Sequence, residues 1–396
     1  MHGMLQDLAM ASYSNTGFNQ ELAYLEKQAA DGTQPSMQDV MWSLMFGTSD
    51  ARLRAAREVR KLTKTSSKSR AYLAAAGVIM PLVAMLKSSC EESKEAAVLA
   101  LLNLAVGNER NKLRIVKAGA IGPLVELLQS ENLFLKESAA AAIYTLSAAS
   151  VNKPLLGASG AISLLVDMVK SGSLQGKVDA VMALYNLSTY PDNLTPILAA
   201  GAVGPLLALL KGCKKSSKVA EKTTSLLKSL VAFEEGKSAL GKEEGGILAL
   251  VEVLEDGSLR SRENAVGTLL LLCESNRCRY RQAILQEGAI PGLLELTVQG
   301  SPRAQQEAHS LLRLLRDSSP RSSRGTSPSA MLESIVYDIA SHMDGEEQGT
   351  ETARKILTEM VQLSMEQNMR NLQKRAILYL PSDLSHSSCL TEVSSK

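Results

Sequence analysis

The sequence predicts an all-α solenoid, a chain of similar helical units that stack on one another. Seven leucines recur at intervals of 41 to 43 residues: Leu62, Leu104, Leu146, Leu187, Leu230, Leu272 and Leu315. An aliphatic residue lies three positions before each of them: Val59, Leu101, Ile143, Leu184, Leu227, Leu269 and Leu312. Repetition at this period is typical of repeat proteins, in which each unit buries its apolar face against its neighbours. Such an array offers a long surface rather than an enclosed pocket, which favours binding over catalysis.

The composition agrees with a helical repeat protein of the cytoplasm or nucleus. Hydrophobic residues make up 45% of the 396 residues and aromatic residues only 4%, so we expect a core of Leu, Ile, Val and Ala. The net charge of +2 provides no overall field that would attract nucleic acid. Five widely spaced cysteines favour reduced thiols over a disulfide framework. Neither a signal peptide nor a long apolar run is visible, so we expect no insertion into a membrane.

The repeat array is expected to occupy residues 37–317. Its seven units are placed at 37–69, 70–109, 110–151, 152–192, 193–235, 236–278 and 279–317. Residues 1–36 are polar and mixed, and we expect a partly disordered N-terminal extension. Residues 318–330 are rich in Ser, Pro and Arg and offer nothing to bury, so a disordered linker is expected. A helical C-terminal segment, 331–380, and a disordered tail, 381–396, complete the predicted organisation.

Within each unit the sequence predicts three helices, as the third unit illustrates. A first helix, 112–117, is expected to end at Gly119, because glycine accepts the left-handed backbone of a helix stop. Pro123 is expected to open a second helix, 124–128, since its fixed φ and missing N–H suit a first turn. A third helix, 136–148, carries small and branched residues on one face at helical spacing. Glycines recur at the same place in most units: Gly77, Gly119, Gly160, Gly201, Gly245 and Gly288.

Two motifs in this pattern resemble armadillo repeats. They are the Ala-Gly-Ala-Ile-Gly-Pro-Leu-Val turn at 118–125 and the Ala-Leu-Leu-Asn-Leu helix end at 100–104. More narrowly, Ala-Ala-Arg-Glu-Val-Arg at 55–60 and the Gly-Ala-Ile-x-Pro turns look like the armadillo domains of plant U-box ubiquitin ligases. The resemblance covers residues 37–317. It implies a right-handed superhelix of about seven armadillo repeats, followed here by a helical C-terminal extension.

The resemblance also bears on activity. The ligases of this family carry a U-box ahead of the array, whereas here only residues 1–36 precede the first unit and lack the Cys-Pro-rich start of that domain. We therefore expect a non-catalytic scaffold or adaptor that binds an extended peptide or a helix. The alternative is a component of ubiquitin transfer, either a partner that recruits substrate to a separate ligase or a relative without the U-box.

Candidate peptide-binding residues follow from the same resemblance. In armadillo proteins the third helices line a concave groove, and an asparagine near each helix end can hold the backbone of an extended peptide. Asn103 and Asn186 match this asparagine, and Thr145 and Ser229 match it in polarity. Amides and hydroxyls donate and accept hydrogen bonds, so all four are candidates for contacts in the groove. A solvated helix edge without a ligand is the alternative.

A second candidate set is basic and lies ten residues before the leucines. Its members are Arg52, Lys94, Lys136, Lys177 and Arg262. A cation near a helix N-terminus opposes the helix dipole at a cost of about 0.3–1 kcal/mol, which favours a role in binding an acidic or phosphorylated segment. Glutamate follows in several units, which favours the alternative that stacked units pair Lys with Glu. The two candidate sets lie nine residues apart, on opposite sides of the third helix.

No enzyme signature is visible in the sequence. Of the four histidines only His309 lies inside the array, so a base beside a nucleophile is not expected. Cys273 and Cys278 are the only close cysteines and lack two further ligands for zinc. We expect no catalytic residue, no metal and no cofactor.

The C-terminal segment holds two further candidates. Ser319 and Ser327 each precede a proline, and we regard them as candidate phosphorylation sites. The predicted helix 351–379 has an apolar stripe that must be covered. It either caps the last repeat, mediates self-association or docks back along the groove.

Overall fold

The computed structural model describes residues 36–316, which belong to two compact units, one ending in the sequence at Ala249 and the other beginning at Leu250. These residues form twenty α-helices and two short 3-10 helices, with no strand among them. The predicted all-helical fold is confirmed.

Several expectations fall outside the described residues and stay predictions. They concern the N-terminal extension before residue 36, the linker with Ser319 and Ser327, the segment 331–380 with its 351–379 stripe, and the tail 381–396.

The described residues up to Ala249 repeat a pattern of three helices, which they enter at the second helix of the first set. In chain order the helices are α1 (Met37–Phe46), α2 (Ser49–Thr63), α3 (Ser67–Ala75), α4 (Ile79–Met85), α5 (Glu91–Ala105), α6 (Glu109–Lys117), α7 (Ile121–Leu128), α8 (Leu133–Ser147), α9 (Lys153–Ala158), α10 (Ala161–Ser171), α11 (Leu174–Ser188), α12 (Leu194–Ala199), α13 (Val203–Gly212), α14 (Lys218–Val231) and α15 (Glu234–Lys242). The 3-10 helices Ser150–Asn152 and Pro191–Asn193 lead into α9 and α12. The third helices of the sets are α2, α5, α8, α11 and α14, and each packs on the next.

The second unit contains the remaining helices. Helix α16 (Gly246–Asp256) spans the boundary, and α17 (Leu259–Ser275), α18 (Arg277–Gln286), α19 (Ile290–Gln299) and α20 (Pro302–Leu315) follow it. Helices α17 and α20 are third helices and pack on each other, while α18 and α19 pack against α20. The three-helix pattern therefore continues in this unit.

Polar caps set the start of the third helices. At all of them except α5, a side chain accepts a hydrogen bond from a backbone N–H of the first turn: Thr48, Asn132, Ser173, Ser217, Ser258 and Ser301. Such caps satisfy donors that the helix itself leaves unpaired. Because Asn132 is a cap, α8 begins at Leu133, and the predicted start at residue 136 was three residues too late.

The other two predicted starts were also late. Helix α6 begins at Glu109 rather than at residue 112, because Asn108 accepts a hydrogen bond from Asn111 N at 3.1 Å and caps it. Helix α7 begins at Ile121, so Pro123 is its third residue and not its first. Proline fits there as well, because none of the first-turn N–H groups has a partner inside the helix.

The glycines between the first and second helices have the predicted backbone conformation. The six predicted glycines have φ between +66° and +97°. At Gly119 and Gly160 an added Cβ would meet nothing within 4 Å, so the backbone angle alone favours glycine there. This confirms the helix stop that the repeated glycines predict.

The predicted leucines form the core. Six of the seven are at most 2% exposed: Leu104, Leu146, Leu187, Leu230, Leu272 and Leu315. Leu62 is half-buried; it lies in α2, which comes first among the third helices along the chain. The periodic leucines are therefore the residues that successive sets bury between them.

Three buried asparagines form a ladder that joins successive sets. In each, Nδ2 donates to the carbonyl of a core leucine: Asn111 to Leu104 at 2.9 Å, Asn152 to Leu146 at 3.0 Å and Asn193 to Leu187 at 3.0 Å. Each Nδ2 also donates to a carbonyl of the preceding first helix: Arg70 at 3.0 Å, Lys112 at 3.4 Å and Lys153 at 3.2 Å. This asparagine ladder was not predicted from the sequence.

A substitution at Gly157 tests the asparagine ladder, because the absence of a side chain at this residue leaves the space that Asn193 occupies. A Cβ at Gly157, within α9, would overlap Asn193 Oδ1. We expect Gly157→Ala to displace this asparagine and to lower the free energy of unfolding by about 1–3 kcal/mol, since two buried carbonyls then lose their donor. Urea unfolding followed by circular dichroism measures the change.

The matched control is Gly122→Ala in α7, where the added Cβ meets nothing within 4 Å. This change should be neutral or stabilise the protein by about 0.5–1 kcal/mol, because alanine is the better helix former. Equal unfolding midpoints for the two variants would rule out a structural role for the ladder.

Candidate binding surface

The third helices up to Ala249 stack side by side, so equivalent positions come together on neighbouring helices. The position directly before each core leucine holds the four residues that the armadillo resemblance singles out. All four are partly exposed: Asn103 in α5, Thr145 in α8, Asn186 in α11 and Ser229 in α14. We call this face of α2, α5, α8, α11 and α14 the third-helix surface.

The two asparagines of this surface link neighbouring third helices. Asn103 Nδ2 donates to the backbone carbonyl of Arg60 in α2 at 2.8 Å. Asn186 Nδ2 donates to the carbonyl of Tyr144 in α8 at 3.3 Å and to Ser147 Oγ at 3.1 Å. Within residues 36–316 neither Oδ1 accepts a hydrogen bond, so both amides keep an acceptor for a ligand. These amides are thus held in place by the fold and remain partly accessible.

The hydroxyls of Thr145 and Ser229 bond within their own helices and do not link neighbouring helices as the asparagines do. Thr145 Oγ1 donates to the carbonyl of Ala141 at 2.9 Å, and Ser229 Oγ donates to the carbonyl of Ser225 at 3.2 Å. Each hydroxyl therefore bonds to its own helix four residues back, a common alternative for such residues inside helices. Their oxygen lone pairs remain able to accept.

Apolar and aromatic side chains lie on the same third helices as these positions. Six of them, which we call the central stripe, are at least partly exposed on α5, α8 and α11: Leu99, Leu102, Phe134, Tyr144, Met182 and Tyr185. Phe134 is 46% exposed. Part of this stripe had a sequence signal: Leu99 and Met182 each lie four residues before an asparagine, which puts them on the asparagine face. The stripe was not predicted from the sequence.

Charged residues flank the central stripe. On one side, Arg54, Arg57 and Arg60 of α2 are exposed. On the other, Lys222 Nζ of α14 lies 4.2 Å from the ring centroid of Tyr185, in a cation–π contact, and 3.3 Å from Glu221 Oε1. The third-helix surface is thus apolar in the middle and has cationic groups at both ends.

One half-buried carboxylate lies on α11 beside the central stripe. Burial raises the pKa of Asp179, and the negative charge of Glu137 raises it further. A hydrogen bond from Gln175 Nε2, at 3.0 Å, opposes the shift by stabilising the charged form.

Each member of the basic candidate set is the fourth residue of a third helix. The members differ in whether their side chains have a hydrogen-bond or ion-pair partner. Arg262 Nη1 pairs with Glu295 Oε1 at 2.8 Å, and Arg52 Nη2 donates to the carbonyl of Met45 at 3.4 Å. In the described part of the chain, three members make no side-chain hydrogen bond or ion pair: Lys94, Lys136 and Lys177.

Two of the glutamates that follow members of this basic set accept hydrogen bonds from other groups. Glu137 accepts a hydrogen bond from Ser173, and Glu263 Oε2 accepts one from Ser301 Oγ at 2.7 Å. Both serines are the caps of the next third helix. Among the five members of the basic set, the expected pairing with a glutamate of the next set occurs only between Arg262 and Glu295.

Residues 36–316 contain no group of three or more His, Cys, Asp or Glu side chains that could hold a metal ion. Cys273 is buried and Cys278 is exposed, and both are free thiols. In the same part of the chain no single helix is long and apolar enough to cross a membrane. One sharply bent pair, Pro191–Ala199 with Val203–Gly212, meets the length and composition criteria only when its two parts are taken together.

Known proteins resemble this chain in sequence and in fold. Residues 41–334 match the plant U-box protein ARM repeat region. U-box domain-containing protein 17 of Arabidopsis thaliana is 34% identical over 263 residues, which are 66% of this chain and 36% of that protein. U-box domain-containing protein 2 of the same plant is 53% identical over 55 residues, 14% of this chain and 8% of that protein. The chain therefore spans well under half the length of these relatives.

Among solved structures, the crystal structure of an engineered protein matches with a TM-score of 0.61 and 22% identity, covering 82% of each chain. This likeness supports the fold alone. The match over residues 41–334 covers most of the chain and confirms the armadillo resemblance seen in the sequence. The chain belongs to the family defined by the armadillo repeat region of plant U-box proteins.

Proposed function

We propose that this chain is a non-catalytic scaffold that binds an extended segment of a partner protein along the third-helix surface. The observation that carries the proposal is the position of Asn103 and Asn186. Both amides are fixed by hydrogen bonds to the preceding third helix, and both lie among the partly exposed apolar side chains of the central stripe. Fixed polar groups within an apolar surface are what peptide recognition requires, because they orient the ligand at little entropic cost.

The spacing of the helices suits an extended peptide. Packed helices lie about 8–10 Å apart, which corresponds to about three residues of extended chain at about 3.3 Å each. A peptide of about twelve residues would therefore cross α2 to α14. Its backbone N–H groups would donate to the Oδ1 atoms of Asn103 and Asn186, and its apolar side chains would lie on the central stripe.

A peptide library tests this proposal. The purified full chain is used to select binders from random peptides of about twelve residues, and their affinities are then measured for Asn103→Ala/Asn186→Ala. We expect the double variant to bind selected peptides about tenfold more weakly, because one hydrogen bond is lost at each asparagine.

The control is Glu126→Ala/Asp167→Ala, which alters two exposed residues of the second helices α7 and α10. It should leave the affinities unchanged. Selected peptides that bind both double variants equally well would overturn the proposed site, provided that circular dichroism shows both variants folded.

A role in ubiquitin transfer is the second candidate function, and the U-box relatives favour it. In this role the chain would recruit a substrate to a separate ligase and would not transfer ubiquitin itself.

A ubiquitination assay with purified components distinguishes a scaffold function from ligase activity. Full chain, ubiquitin, activating enzyme and a set of conjugating enzymes should give no ubiquitin chains, because we propose that this chain only binds its partners. A plant U-box ligase in parallel reactions shows that the components are active. Robust chain formation with this protein alone would contradict the non-catalytic proposal.

A further inference from the structure

Helix α2 presents a basic face at one end of the third-helix surface. The helix carries five basic and two acidic side chains. Arg54, Arg57 and Arg60 follow one another at intervals of three residues, are exposed, and make no side-chain hydrogen bond or ion pair within residues 36–316. Lys61 lies beside them and pairs with Glu58 at 3.5 Å, although its own side chain is 64% exposed. We call Arg54, Arg57, Arg60 and Lys61 the basic face.

Helix stability alone does not account for the basic face. Arg60 and Lys61 lie in the last turn, where a cation interacts favourably with the helix dipole. Arg54 and Arg57 lie in the middle of the helix and gain nothing from it. Like charges three and four residues apart repel each other and destabilise a helix. A ligand of opposite charge would convert this repulsion into attraction.

The basic face is continuous with the proposed peptide site. Asn103 Nδ2 donates to the carbonyl of Arg60, so the asparagine of α5 adjoins the basic face directly. Leu99 and Leu102 of the central stripe are on the same helix as Asn103, one turn or less away, and are partly exposed. A peptide lying on the central stripe would reach the three arginines by continuing onto the neighbouring helix α2, which packs on α5.

We propose that the partner segment is acidic at one end, with Asp or Glu side chains bound by Arg54, Arg57 and Arg60 and with apolar residues following on the central stripe. The planar guanidinium group donates two parallel hydrogen bonds to a carboxylate and holds it in a defined geometry. This inference rests on the proposed function, since it names the chemistry of the ligand for the same surface.

The same peptide library tests the inference. Peptides selected by the full chain should be enriched in Asp and Glu toward one end. The variant Arg54→Gln/Arg57→Gln/Arg60→Gln should bind them about tenfold more weakly, and the loss should shrink as the salt concentration rises. The control Arg110→Gln/Arg114→Gln/Lys117→Gln removes three exposed charges from one side of the first helix α6 and should change affinity less than threefold.

The outcomes separate this inference from the proposed function. Binders that depend on Asn103 and Asn186 but show no acidic enrichment would overturn the inference and leave the proposed function standing. Equal losses for the two triple variants would also overturn it, because binding would then reflect net charge alone. Binders that are independent of both asparagines would overturn the proposed function itself.

Discussion

The asparagine ladder is the interaction on which the register of the central third helices α5, α8 and α11 depends. The last carbonyls of a helix have no partner within the helix, and a buried carbonyl without a donor is costly. Asn111, Asn152 and Asn193 are at most 4% exposed and supply a donor to the end of each preceding third helix. Because the same amide groups also bond to the preceding first helix, each asparagine joins two sets and fixes their register.

At the ends of two other third helices, an arginine side chain donates to the last carbonyls. At the end of α2, Arg70 Nε donates to Thr63 O at 2.8 Å and Nη2 to Lys64 O at 2.9 Å. At the end of α20, Arg281 Nε donates to Leu315 O at 2.7 Å. A fixed register keeps equivalent residues of neighbouring third helices side by side. The third-helix surface is therefore organised before any ligand binds, which reduces the entropic cost of binding.

The sequence predicted the parts of this structure that are periodic and apolar. The core leucines and the left-handed glycines were found because burial and backbone angle each favour a single residue type at a fixed spacing. The helix starts were predicted too late because polar caps such as Asn132 and Asn108 determine them. The spacing of apolar residues, on which the prediction rested, does not show where a cap lies. The buried Asn152 was missed because an asparagine beside a lysine looks like a surface residue in the sequence. The basic face of α2 was not recognised either, since only the packing of α2 on α5 relates it to Asn103.

Hydrogen exchange with and without a selected peptide tests the central claim most directly. The claim is that the fold aligns the third helices as one surface for an extended ligand. We expect the peptide to slow amide exchange in α5, α8 and α11 and to leave the second helices α7 and α10 unchanged. Slowed exchange confined to the second helices, with the third helices unaffected, would contradict the account.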